Sequence, residues 1–438
     1  MCCAIIALFS SEPADAQGLP LIRDAEIEDT IRRMSRPLFQ AAGLAPSSVS
    51  IHIVGDKSLN AFVADGQRMF VHTGLLMRAE NASQVIGVIA HETGHISGGH
   101  LSRFGKAGQQ GIATSVIATI LGAATALGTG RPDIGGAIIA GGQQLAQRNF
   151  FSFTRSQEGS ADQAALTLLD TTGQSARGLL EFMGILENQE LLITNNQDPY
   201  VRTHPLSSDR IQAIEAHIAR SAKSDILTPP EMELRFQRAK AKLIGYFDPP
   251  NVTFRIYPDT DQSIPARFAR AFAYSKVPDK DKALSTLDSL LKDLPDDPYF
   301  LELKAQVLFE SGDVAAAIVP FGHAVSILPE EPLIRFEYAR VLIESSDPGD
   351  LEKAIEHLKF ALSREPKYAF GWRNLGIAYG RLGDTGRSSI ALAEEAMLKG
   401  DYAVVNYHAG RAVELFPRGS REWLQAEDLL LAAKNTKK

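Results

Sequence analysis

Beyond position 3 this 438-residue chain contains no cysteine; its only two are Cys2 and Cys3. Once residues 1–16 are set aside, as argued next, no disulfide can hold the remainder together. An excess of basic charge is also missing. Lys and Arg number 45 against 52 Asp and Glu, a net charge of −7, which argues against a nucleic-acid binder. Long hydrophobic runs are scarce too. The longest uncharged stretch, 107–130, has the length of a membrane span but is rich in Gly, Ala, Ser and Thr. At 45% hydrophobic and 22% charged residues the composition is that of a soluble globular protein. A chain of this length suggests two or three domains.

The N-terminus departs from that average. Cys2 to Phe9 is apolar and uncharged, and Ala14-Asp15-Ala16 fits an A-x-A cleavage pattern. Residues 1–16 read as a signal peptide whose basic start is missing, so the expected address is the periplasm. Both cysteines precede the apolar core rather than follow it, so no lipid anchor is expected.

What is present centres on His91-Glu92-Thr93-Gly94-His95. The surrounding run, 84–100, reads as a helix, with Asn81 as its cap and Gln84 placed to reach back as in a capping box. On a helix the i and i+4 positions share a face, so His91 and His95 can point at one metal ion. Zinc suits these ligand types, and a catalytic zinc takes three protein ligands and keeps an open position. Glu92, one step round, can accept a proton from water attacking a peptide carbonyl.

Upstream, apolar residues at helical spacing (Ile27, Ile31, Met34, Leu38) predict a helix over 24–42. Val49, Ile51 and Ile53 alternate as in a strand. Two further strands, 61–64 and 68–72, flank Asp65-Gly66, a hairpin signal. Extended substrates add to an exposed sheet edge through main-chain hydrogen bonds, and 68–72 is the expected edge. His52 and His72, alone on strands, read as structural.

A third ligand must come from further along. A metzincin would place a histidine six residues after His95, but that position is Leu101, and His100 misses by one. In 156–165, Glu158 and Asp162 form an i, i+4 pair on a helical stretch. Glu158 is a candidate carboxylate ligand, and Asp162 a candidate to orient a ligand histidine through its other ring nitrogen. By spacing alone, two acids on a solvated helix face is the commoner situation.

HETGH followed by an E-x-x-x-D helix resembles the gluzincin family of the CAAX prenyl protease and the heat-shock membrane protease HtpX. The resemblance runs over about residues 24–220, through GLLMRAENASQVIGVIAHETGHISGGH, SQEGSADQAAL and THPLSSDRI. It implies one zinc held by His91, His95 and Glu158, with Glu92 as the base. In that family the His-Pro…Arg segment lies near the metal. His204 is accordingly expected to approach the open metal position at rest or to hydrogen-bond the oxyanion, with Arg210 tying the segment down. The insert between ligand sites, 107–147, reads as a helical hairpin over or beside the active site. It is a candidate gate and a candidate for peripheral membrane contact.

The rest of the chain repeats. Ala283, Leu287 and Pro295 recur 34 residues on as Ala317, Phe321 and Pro329, then after an insertion as Ala354, Leu358 and Pro366. Residues 372–379, WRNLGIAY, match the tetratricopeptide pattern W-x2-L-G-x2-Y. Helix pairs of this kind bury their apolar faces only by stacking. Four units are recognisable, followed by degenerate helices as a cap.

The expected architecture is an α+β zincin-type protease domain, mostly α with a small twisted sheet (17–222), a linker with a helix (223–263), and an all-α tetratricopeptide solenoid (264–438). This order resembles periplasmic proteases of outer-membrane quality control. It implies misfolded or stalled outer-membrane proteins as substrates, the β-barrel assembly machinery as a candidate partner, and no nucleic acid. The alternative is a chaperone or scaffold that acts through its repeats while its protease site stays shut.

Overall fold

The computed structural model describes residues 12–13, 19–64, 67–100, 117–119, 121, 132–192, 204–277 and 279–435. Two compact units emerge: Glu28–Lys240, and Ala241–Lys438 together with Met1–Ile27. The signal-peptide reading falls almost wholly outside the described residues, as do the Asp65-Gly66 turn and most of the apolar insert.

At the N-terminus, strand β1 (Glu12–Pro13) pairs antiparallel with β2 (Pro20–Ile22). Helix α1 (Ala25–Ala41) follows, burying Ile31, Met34 and Leu38 as their spacing requires. Then come β3 (Ser50–Val54), β4 (Ala61–Ala64) and β5 (Arg68–His72). The predicted hairpin forms, with Ala61 opposite Val71 and Ala64 opposite Arg68. However, β3 also pairs with β5, in parallel and in register from Ser50–Arg68 to Val54–His72. This corrects the edge assignment. β5 is flanked on both sides, and the outer strand next to it is β4. Its near-continuous burial, Met69 to His72, is what a central strand shows.

After the short helix α2 (Thr73–Arg78) comes α3 (Ala82–Ser97), which carries the HETGH motif. The side chain of Asn81 accepts from Gln84 N at 3.1 Å. Gln84 Oε1 in turn accepts from Glu80 N at 2.8 Å, one residue earlier than a capping box would have it. Helix α3 is buried almost all round, packing against β4, α4 (Pro132–Thr171) and α5 (Arg177–Leu192). The insert 107–147, read as a helical hairpin, ends in the Gly- and Ala-rich stretch 134–146. That stretch is the first part of α4, the same 40-residue helix that carries Glu158. Among the described residues no helix is long and apolar enough to cross a membrane. Helix α6 (Ser208–Ile218), capped by Ser207, starts just after the His-Pro segment, and α7 (Pro230–Phe247) leads into the second unit.

That second unit contains α8 (Pro250–Ile256) and then five helix pairs. They are α9–α10 (Ile264–Lys276, Lys280–Asp293), α11–α12 (Pro298–Glu310, Val314–Ile327), α13–α14 (Pro332–Ile343, Gly349–Arg364), α15–α16 (Ala369–Arg381, Thr385–Leu398) and α17–α18 (Tyr402–Leu415, Arg421–Asn435). The final pair is the stretch read as a degenerate cap. Ala283, Ala317 and Ala354 are completely buried, as small residues between closely packed helices must be. Large residues such as Phe300, Phe321 and Phe336 fill the core between them.

Candidate metal centre

Three elements of the first unit converge at one point. Helix α3 supplies His91, Glu92 and His95, α4 supplies Glu158 and Asp162, and α6 with the segment leading into it supplies Arg210 and His204. The close approach of α3 to α4 depends on Gly94. A Cβ there would lie 2.7 Å from the carbonyl oxygen of Ala161, so only glycine lets the two backbones come this near.

The donor atoms form a tight set. His91 Nε2 and His95 Nε2 are 3.1 Å apart. Glu158 Oε2 is 3.3 Å from His91 Nε2, and Glu158 Oε1 is 3.3 Å from His95 Nε2. His204 Nδ1 lies 3.2 Å from His91 Nε2 and 3.1 Å from Glu158 Oε2. One ligating atom from each of these four residues falls within 4.8 Å of all the others, and all four residues are buried. His52 and His72 stand apart: His52 stacks on Phe70, and His72 Nδ1 pairs with Ser58 Oγ at 2.9 Å.

Around this set, Asp162 Oδ1 lies 2.9 Å from His91 Nδ1. Arg210 donates to Asp162 through Nε and Nη2, and its Nη1 lies 3.1 Å from Glu158 Oε2 and donates to the carbonyl of Pro205 at 2.9 Å. Arg210 thus ties the His-Pro segment to α4. Glu92 is completely buried, and neither of its carboxylate oxygens accepts a hydrogen bond among the described residues. His204 Nε2 lies 3.4 Å from Glu92 Oε1.

Electrostatics follow from this crowding. Burial opposes charge on His91, yet Asp162 and Glu158 hold its pKa up at about 10. Burial pushes His95 down to about 3. Glu158 stays ionised despite burial because three imidazoles hydrogen-bond it, and Arg210 with His91 keeps Asp162 at about 2. Burial raises Glu92 against the opposing charges of His204 and His91.

These residues fit a divalent cation. In a tetrahedral site with ligand bonds of about 2.0–2.1 Å, neighbouring donors stand about 3.3 Å apart. The 3.1–3.3 Å triangle of His91, His95 and Glu158 matches that edge. With the Nδ1 proton of His91 directed at Asp162, a bound cation would take the place of the second ring proton, on Nε2, that Asp162 and Glu158 favour. Positive charge at this point, a proton on His91 or a cation in its place, is what keeps the converging ring nitrogens and carboxylate oxygens from repelling one another. Glu158 and Asp162 are both held ionised beside the one guanidinium of Arg210, so a cation that displaces the His91 proton still meets net negative charge.

Sequence reasoning missed one buried polar residue beside this set. His100, set aside as a ligand because of its spacing, has Nδ1 3.0 Å from His95 Nδ1. Its separation of five residues from His95 carries no periodic signal that would have drawn attention to it.

Residues 22–218 match the model of peptidase family M48. Over 314 residues, 70% of this chain, there is 24% identity to the beta-barrel assembly-enhancing protease of Yersinia pestis, of which 63% is covered. The protein of the same name from Escherichia coli strain K12 is 23% identical over 295 residues, 66% of this chain and 59% of its own length. A shorter match, 27% over 193 residues, joins 42% of this chain to 51% of the mitochondrial metalloendopeptidase OMA1 of Schizosaccharomyces pombe. The matched stretches thus span about three-fifths of the longer relatives. The donor set, the E-x-x-x-D helix beside it and the match to peptidase family M48 coincide on one stretch of chain, residues 22–218.

Proposed function

We propose that the first unit is a zinc endopeptidase acting on unfolded chains. The observation that carries this reading is a triangle of His91, His95 and Glu158 donors at tetrahedral-edge spacing, with a buried carboxylate, Glu92, beside it. In this reading His91, His95 and Glu158 hold one zinc ion per chain. The ion supplies the Lewis acidity that makes water a nucleophile at neutral pH. Glu92 removes a proton from the attacking water and passes it to the leaving amine nitrogen. Burial raises its pKa, which makes it a stronger base than an exposed glutamate. Asp162 holds His91 in the tautomer that turns Nε2 inward, and Arg210 fixes Asp162. The outer strand β4, packed against α3, is where an extended substrate would add main-chain hydrogen bonds.

The relatives' name motivates the finer reading: a periplasmic enzyme that degrades misfolded or stalled outer-membrane proteins. In it the repeat unit recruits them or the assembly machinery, and the 107–147 insert is a candidate membrane contact. Metal content measured together with cleavage of an unfolded substrate, for wild type and Glu92→Gln, tests the core of the proposal. A zinc-free wild type, or undiminished cleavage by the Glu92→Gln protein, sinks it.

One observation favours a second reading. His204 Nδ1 stands at the fourth corner of the donor set while its Nε2 faces the proposed base. In that posture the site is closed, and the protein serves as a chaperone or scaffold through its repeats until His204 withdraws. Full complementation of a deletion strain by the Glu92→Gln protein would favour it.

A further inference from the structure

His100 is buried and sits immediately behind the proposed ligand His95. The two Nδ1 atoms are 3.0 Å apart and the rings stand nearly perpendicular, at 83° with centroids 5.0 Å apart. A 3.0 Å nitrogen–nitrogen contact holds one proton: one ring donates and the other accepts. For His95 to turn a lone pair toward Glu158 and His91, its proton must sit on Nδ1. His100 Nδ1 is then the acceptor, and the proton of His100 moves to its Nε2. Asp162 does the equivalent for His91 from the other side, at 2.9 Å.

The chain is shaped to permit this. Helix α3 ends at Ser97, and Gly99 takes a left-handed φ of 61° that turns the backbone sharply. A Cβ on Gly98 would fall 2.3 Å from His100 Nε2, so the ring occupies space that any other residue there would fill. Two successive glycines thus bring the histidine back beneath the end of its own helix.

We infer that His100 is a positioning residue that selects the metal-binding tautomer and ring orientation of His95. The inference rests on the zinc-site reading above and adds a residue to it. His100 does not touch substrate or ion; it acts only through His95. A neutral imidazole polarises its partner less than a carboxylate does, so the two ligand histidines are supported unequally, His91 by an anion and His95 by a neutral acceptor.

The test is zinc affinity, measured by competition with a chromophoric chelator, alongside the melting temperature of the zinc-free protein. His100→Leu fills the space without an acceptor, and His100→Gln restores one. Loss of such a partner weakens metal binding by about 10–100-fold, so His100→Leu should fall in that range and His100→Gln should stay within about threefold of wild type. Gly98→Ala, which displaces the ring without altering it, should weaken zinc as His100→Leu does, and it keeps the test alive if the leucine variant fails to fold. Wild-type affinity in a folded His100→Leu protein overturns the inference, and so does equal weakening in the Leu and Gln variants. His91→Ala serves as the control. If wild type itself holds no zinc, the metal-site reading fails, whereas a zinc-binding wild type with indifferent His100 variants overturns this inference alone.

Discussion

Arg210 grips Asp162 with two nitrogens, Nε 2.6 Å from Oδ2 and Nη2 2.9 Å from Oδ1, and that same Oδ1 faces His91 Nδ1. The pair orients a ligand without being one. Asp162→Asn should therefore weaken zinc about 10–100-fold, and Arg210→Met should do likewise by freeing Asp162 and the Pro205 carbonyl. Chelator competition reads both; wild-type affinity in either variant removes the orienting role.

Glu92 acts, in the proposed reading, on protons rather than on the ion. Glu92→Gln should keep zinc and fold while cleavage of an unfolded substrate drops by about 100-fold or more. A Gln variant that loses zinc in step with activity would show that Glu92 is a ligand instead.

His204 contributes the fourth corner of the donor set and faces Glu92. His204→Ala should leave three ligands and release the base, so zinc stays bound and cleavage rises severalfold. A fall in cleavage would recast His204 as an oxyanion donor, and unchanged cleavage with unchanged affinity would remove it from the site altogether.

In the second unit Lys242 is buried with Nζ 2.7 Å from Asp24 Oδ2 and 3.7 Å from Glu26 Oε2, and Glu302 lies in the same charged cluster. Burial pushes Glu302 well above its usual 4.5, against the opposing charge of Lys242, with Asp24, Glu337 and Glu26 adding to the rise. The folded chain then keeps a proton on Glu302 that the unfolded chain has already released. Stability from this group is complete below 4.5 and is lost as pH climbs through the raised value. The melting temperature should decline over that window in wild type and decline less in Glu302→Gln. Identical slopes in the two proteins would exclude Glu302 as the source.

Gly94 carries the contact between α3 and α4. Gly94→Ala must push backbone against backbone, which costs about 1–3 kcal/mol and moves Glu158 away from the histidines. The urea midpoint and zinc affinity should fall together; a variant with neither change would mean that the helices separate freely.

Local patterns were legible without coordinates. The i, i+4 spacing of His91 and His95, the helix cap at Asn81, the hairpin of 61–64 with 68–72, and the 34-residue repeat all depend on neighbours along the chain, where 3.6- and 2-residue periods speak directly. The resemblance extended this to Glu158, Asp162, His204 and Arg210, residues that spacing alone left ambiguous.

Contacts between distant segments were settled only by folding. The parallel pairing of β3 with β5 makes β5 central and moves the free edge to β4, because β pairing is a long-range choice that strand periodicity does not encode. The placement of His204 Nδ1 against His91 joins positions 113 residues apart. The approach of His100 to His95 depends on a two-glycine turn rather than on any repeat, so it is decided by where the backbone has room. The sequence by itself determined which side chains could hold a cation; the tertiary structure decided which of them meet, because only packing brings donors from three separate elements within 4.8 Å of one another.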